Sequence, residues 1–374
     1  MKTILKRGYL AAICLCGMVS SYGQATEKID IVSTAVPFLR ISPDARAGGM
    51  GETGVSTSPN ANSQFYNVAK YAFVHDLSGV SATYTPWLKD LGLKDVYLAS
   101  VAGYYKPGEE QAFSASLRYF SLGNIEISDA DGNDLGHQKS SELGFDLGYS
   151  RKLTANLSVG AALRYIYSNL AGTVSTTGSM YKAGNAFAAD LGVYYNKVDE
   201  AGEGWHAGAA LTNLGSKIGY TNDATQKNYL PANLALGAGY SWVFNEVHKI
   251  SLHGEINKLM VPKLPDASDS AAYAKYGSEG SLSGLFKSFG NSAMAYSIGS
   301  EYVYNRLYAL RLGYYTDSRS MGKRNYLTAG VGINYSMFGV NFSYLVPSGS
   351  GVTRNPLSNT LRFSLLFYMS KEAK

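Results

Sequence analysis

From about residue 78 to residue 369 the chain repeats one pattern: segments of about ten residues in which large apolar side chains alternate with small or polar ones. A period of two is the strand period, because successive side chains leave a pleated backbone on opposite faces. Fourteen such segments are predicted, near 78–86, 96–106, 112–122, 140–152, 156–168, 185–197, 205–214, 232–244, 248–258, 293–304, 307–316, 325–336, 338–346 and 358–369. Phe113, Ala115, Leu117 and Tyr119 oppose Ser114, Ser116 and Arg118; Leu157, Val159, Ala161, Leu163 and Tyr165 oppose Ser158, Gly160 and Arg164.

A soluble sandwich also alternates, so the direction of each face has to be argued. In the closing segment, Leu361, Phe363, Leu365, Phe367 and Met369 point one way and Arg362 and Ser364 the other. Opposite the apolar set nearly every segment carries glycine, serine, alanine or a charge, which is little bulk for a soluble exterior but suits a polar lumen. Aromatic residues gather near segment ends, among them Tyr104, Tyr105, Tyr194, Trp242, Phe244, Tyr315 and Phe367, as interfacial girdles require. The connections alternate in length: 107–111, 153–155, 198–204, 245–247, 305–306 and residue 337 are short, whereas 87–95, 123–139, 169–184, 215–231, 259–292, 317–324 and 347–357 are long. Short periplasmic turns, long extracellular loops and an even strand count describe an outer-membrane barrel. The expected fold is all-β: a membrane-spanning antiparallel barrel over 78–369, with a periplasmic tail at 370–374.

No apolar run beyond the N-terminus reaches the roughly 18 residues a membrane helix needs, and mean hydropathy is −0.11, so any crossing is by strands. Residues 1–23 read as a signal peptide: Lys2, Lys6 and Arg7, then LAAICLCGMV, then small residues around Ser21 and Gly23. Cys14 and Cys16 fall inside that segment, which leaves the mature chain no disulfide or thiol site. Its removal leaves 30 basic against 28 acidic residues, a formal charge of about +2 in place of +5, and no electrostatic case for nucleic acid.

Several charges take the inward parity: Arg118, Asp146, Arg164, Asp190, His253, Glu255, Glu301, Arg311 and Arg362. A three-residue turn at 305–307 sets Tyr304 opposite Tyr308 and Glu301 opposite Arg311. Arg118, Asp146, Arg164, Asp190, Glu301, Arg311 and Arg362 form a candidate lumen network, either a solute pathway or a brace. No catalytic, cofactor or metal constellation stands out, and an enzyme is not expected. Five histidines lack ligand spacing, GMGETG at 49–54 lacks a phosphate-loop lysine, and Asp129, Asp131 and Asp134 fit a solvated acidic loop.

Residues 36–75 do not alternate and are too rich in glycine and polar residues to build a separate core. Phe38-Leu39-Arg40-Ile41-Ser42-Pro43-Asp44-Ala45-Arg46-Ala47-Gly48-Gly49-Met50-Gly51, Ser58-Pro59-Asn60-Ala61-Asn62-Ser63 and Asn67-Val68-Ala69-Lys70 carry a resemblance. This stretch resembles the hatch of FadL-type barrels and, more closely, the PorV (LptO) family of the Bacteroidetes type IX secretion system. That family usually has proline where this chain has Val68. LGFDLGYS at 143–150, FAADLGVYY at 187–195, LTNLG at 211–215, LPANLALGAGY at 230–240 and SIGSEYVYNRLYALRLGYY at 297–315 look like FadL-type strands.

The resemblance implies that 24–77 is a hatch plugging the lumen, with Phe38, Arg40, Asp44, Arg46 and Met50 as candidate plug residues. It implies a cell outer-membrane shuttle without cofactor. Such a shuttle takes cargo by its C-terminal domain from an SprA-type translocon barrel and delivers it to a PorU sortase complex with PorQ and PorZ. The alternatives are a FadL-like channel for hydrophobic small molecules and a structural subunit without a ligand. The 259–292 loop is the expected contact, or else it folds over its own barrel mouth. Its SLSGLFKSF stretch can form a short amphipathic turn with Leu282, Leu285 and Phe289 on one side, and with Phe286 these are the candidate partner-binding residues.

Overall fold

The computed structural model describes residues 31–87, 93, 95–128, 134–170, 175–176, 179–222, 227–265, 268–347 and 359–370. The expected signal peptide, Asp129, Asp131 and the tail beyond Ser370 lie outside them. Fourteen antiparallel strands close into one barrel. They are β1 (Ser78–Pro86), β2 (Val96–Tyr105), β3 (Gln111–Ser128), β4 (Asp134–Lys152), β5 (Leu157–Asn169), β6 (Gly184–Val198) and β7 (Gly204–Gly215). The second half is β8 (Asn233–Phe244), β9 (His248–Leu259), β10 (Met294–Tyr304), β11 (Tyr308–Asp317), β12 (Asn325–Tyr335), β13 (Phe338–Pro347) and β14 (Leu361–Met369). Each strand pairs with its neighbour in sequence, and β1 closes on β14 from Ser78 opposite Met369 to Tyr84 opposite Phe363.

Closure leaves the ring itself no free edge, while the β3–β4 hairpin continues beyond it. The exposed face is apolar around the ring: Leu163, Phe187, Leu312 and Phe338 are each at least 60% exposed. A soluble protein does not carry a continuous apolar belt of this extent; a barrel in lipid does. Among the described residues no helix is long and apolar enough to cross a membrane.

Tight turns join the strands at one end. Asn245 and Glu246, and likewise Asn305 and Arg306, take positive φ, and Leu307 N donates back to Tyr304 O at 2.9 Å. Two successive left-handed residues match the twist of a hairpin. The register that follows sets Glu301 opposite Arg311 and Tyr304 opposite Tyr308.

Three features differ from the sequence-based expectation. β3 and β4 run past the expected membrane limits, to Ser128 and from Asp134, because the Asn124–Ile127 stretch continues to pair after a bulge. Tyr104, Tyr194 and Tyr315, expected in the girdles, fall on the inward parity and are buried. The 259–292 connection holds two helices: α2 (Ser270–Ser278), capped by Asp269 Oδ1 on Ala272 N at 2.9 Å, and α3 (Ser281–Lys287). A further short helix, α1 (Ala45–Gly48), lies in the segment before β1 and is capped by Asp44, whose carboxylate accepts from Arg46 N and Ala47 N.

Candidate functional site

Residues 37–74 form a series of short turns and helices bonded to inward-facing groups of the wall. Ala45 N donates to Ser364 Oγ on β14 at 3.0 Å, and Gly51 N to Thr328 Oγ1 on β12 at 2.8 Å. Gly54 N and Val55 N both donate to Glu255 Oε2 on β9. Asn67 Nδ2 donates to Val193 O on β6, Ser158 Oγ on β5 to Ala69 O, Ser114 Oγ on β3 to Gln64 Oε1 and Ser100 Oγ on β2 to Pro43 O. These contacts reach both halves of the ring. The path is directed: Ala35 N meets Tyr229 O among the long loops, while Val74 O accepts from Lys106 Nζ beside the short turns.

Glycine allows this close approach. A Cβ at Gly313 would lie 2.0 Å from Gly51 N, one at Gly299 2.3 Å from Met50 O, and one at Gly49 3.0 Å from Gly330 Cα. Gly51 itself has φ +65°. The AGGMG run of the segment and the glycines of β10–β12 therefore fit as backbone against backbone. Met50 is fully buried there, and Phe38 is fully buried elsewhere, stacked on Phe120. Asn67 caps the turn Val68–Phe73 through its side chain, so Val68 occupies the first helical position, where proline is also well tolerated.

Charges tie the segment to the wall. Arg46 donates to both oxygens of Glu301, at 2.9 and 2.8 Å, and also to Ser58; Arg311 Nε donates to Glu301 Oε2 at 2.7 Å. One carboxylate is bracketed by two guanidiniums, all nearly excluded from water. Arg362 Nη2 donates to Glu52 Oε1 at 2.9 Å. Asp44 Oδ1 also accepts from Asn62 Nδ2.

A second cluster is built wholly by the wall. Arg164 is bonded to Asp146, to Asp190 at 2.7 Å and to Asn213. Asn213 takes φ 58° at a bulge in β7, which turns its N–H toward Asp190 Oδ1 at 2.7 Å. Arg118 stands 4.0 Å from Asp146, donates to Leu39 O at 3.2 Å and lies over the Phe65 ring. The seven candidate network residues thus fall into three groups, Glu301 with Arg311, Arg362 alone with Glu52, and the Asp146–Arg164–Asp190–Arg118 set. Arg40 belongs to none of the three and is within the electrostatic reach of Arg324 and Asp317.

Sequence reasoning missed Glu52 and Lys70. Lys70, in the lumen segment and not in a spanning strand, is 1% exposed, and its Nζ donates to Gly54 O at 2.8 Å and Thr57 Oγ1 at 3.0 Å. Burial, with the Arg46 charge adding to it, pushes its ammonium down to about 7. Glu52 could have been found as the lone acid of GMGETG.

Above the segment lies a cavity of about 690 Å³, walled by Phe38, Phe65, Trp87, Phe120 and Arg118. Among the described residues no group of three or more His, Cys, Asp or Glu is placed to hold a metal ion. In the outer connection, Leu282, Phe286 and Phe289 are 73, 77 and 63% exposed. Leu285, three residues after Leu282 and so its neighbour on the helix, is half-buried, and the two line one pocket with Asn213, Tyr229 and Met260.

The model of the type IX secretion system protein PorV matches residues 24–266, well over half of the chain. The chain belongs to the PorV family. It is thereby an outer-membrane component of type IX secretion. No curated protein sequence matches it. Among solved structures, the Ralstonia pickettii toluene transporter TbuX has a TM-score of 0.52 at 16% identity, covering 88% of this chain and 98% of that one. The Pseudomonas putida toluene transporter TodX has a TM-score of 0.51 at 14% identity, covering 87% and 98%. A Pseudomonas aeruginosa FadL homologue covers 90% and 99% at 10% identity, with a TM-score of 0.47. At these identities the likeness to TbuX and TodX shows the barrel fold alone and nothing of solutes.

Proposed function

We propose that this PorV-family barrel binds the C-terminal domain of secreted cargo at its long-loop face. It would receive cargo from an SprA-type translocon barrel and carry it to the PorU sortase complex with PorQ and PorZ. The observation that carries this reading, beside the family, is the lumen segment. With residues 37–74 hydrogen-bonded to strands in both halves of the ring, we read the segment as a plug and the lumen as a brace, which leaves the loops as the working surface. The 259–292 connection is the main contact, with Leu282, Leu285, Phe286 and Phe289 as its apolar surface toward a neighbouring barrel.

Deleting 259–292 tests it: cargo attachment at the cell surface is lost while the barrel still inserts. Unchanged attachment would overturn the assignment of this loop. A second reading, a channel for hydrophobic solutes, is favoured by the aromatic-walled cavity of about 690 Å³. It predicts that Arg118→Ala changes uptake of such solutes and that deleting 259–292 leaves cargo attachment intact.

A further inference from the structure

The outer end of β9 shows where α3 sits. Ile250, Leu252 and Ile256 take the outward parity and are 41–43% exposed. Lys258 and Met260 continue that parity, yet both are buried. Lys258 Nζ donates to Asn291 O and Oδ1 at 2.5 and 2.6 Å, and Ser288 Oγ lies 3.5 Å from Met260 Sδ. The chain after α3 therefore covers the outward parity of β9 above the lipid belt.

Small residues face the barrel side, Gly284 against Tyr229 of the 215–231 connection and Ser288 against Met260. Gly284 and Ser288 are buried, and a Cβ at Gly284 would lie 2.5 Å from the Tyr229 ring. Phe286 and Phe289 point away, and Leu282, one turn before Phe286, is exposed while it also borders the pocket at Tyr229 and Met260. Leu236, Ile256 and Tyr296 form one cross-strand rank two residues below Lys258, and they are 50, 43 and 46% exposed. The ridge thus extends the established lipid-facing surface by about one further rank of side chains, roughly 7 Å along the strand. Lys258 marks the upper margin of the belt, with its ammonium met by loop oxygens in place of water.

We propose that α3 is an interfacial anchor: in the barrel by itself, Leu282, Phe286 and Phe289 are immersed in the acyl chains of outer-leaflet lipid, and the helix lies along the wall at headgroup level. This rests on the barrel wall and not on the cargo reading, so the two can fail separately.

The test places a nitroxide at Phe286→Cys or Phe289→Cys in the full chain, reconstituted in phosphatidylcholine–phosphatidylglycerol vesicles, and compares collision with oxygen and with a nickel chelate. Leu236→Cys is the lipid reference and Glu200→Cys, in a short exposed turn, the water reference. The expected result is a several-fold excess of oxygen over nickel at 286 and 289, as at 236. Nickel access as at 200, or access to neither, would overturn the proposal. The unmodified chain gives a second reading. In vesicles containing diazirine-acyl phosphatidylcholine the peptide spanning 281–290 acquires an adduct; adducts confined to strand peptides would contradict the anchor.

Discussion

Arg46 and Glu301, 255 residues apart, meet edge to edge, with Nε and Nη2 of one donating to the two oxygens of the other at 2.9 and 2.8 Å. Arg311 shares the same carboxylate. Glu301→Gln leaves two guanidiniums without a counter-charge in a dry site, where removing one partner of a buried pair costs about 3–5 kcal/mol. We expect the variant to insert as a barrel but to lose hydrogen-exchange protection over residues 37–60. An Arg46→Met, Glu301→Leu, Arg311→Met triple variant should lose much less, because it removes the carboxylate and both guanidiniums together. No loss of protection in Glu301→Gln would show that this carboxylate does not hold the segment.

Gly313→Ala probes the backbone fit. The added carbon would lie 2.0 Å from Gly51 N, and backbone on both sides cannot yield as a flexible side chain would. Overpacking of this kind costs about 1–3 kcal/mol. The expected outcome is raised ionic conductance in planar bilayers, with the segment displaced near Gly51. Gly254→Ala on β9, where a Cβ meets nothing within 4 Å, should conduct like the parent.

Lys70 gives a pH dependence. Its ordinary value is 10.5 and the docked value about 7, with Arg46 adding to the burial and Asp44, Glu255 and Glu301 opposing it. Between those values the undocked segment holds a proton that the docked one lacks, so docking is weakest below pH 7 and strengthens as pH rises toward 10. Exchange protection over 54–74, corrected for intrinsic rates at pH 6.5, 8 and 9.5, should rise with pH. Lys70→Met should flatten the dependence. Protection that falls as pH rises would contradict the assignment.

The barrel was legible because its determinants are local. Period-two alternation specifies strands, and a turn of Asn305, Arg306 and Leu307 fixes by counting alone that Glu301 meets Arg311. The lumen contacts were legible only as parity. That Arg46 reaches Glu301, or Lys70 reaches Gly54 O, depends on a path through the barrel that no sequence period encodes. Asn213 was hidden for a related reason: its left-handed φ at a bulge shifts the register there, and LTNLG reads as an ordinary strand end. α2 carried a visible signal in Asp269 ahead of Ser270-Ala271-Ala272, but that run lies in a connection read as loop.

The most direct test of the whole account is a gentle detergent pull-down of the tagged protein from its native outer membrane, followed by mass spectrometry. A cargo-binding barrel brings down secreted proteins that share a C-terminal domain, together with a very large barrel subunit. A protein that comes out alone, carrying only lipid or fatty acid, would contradict it.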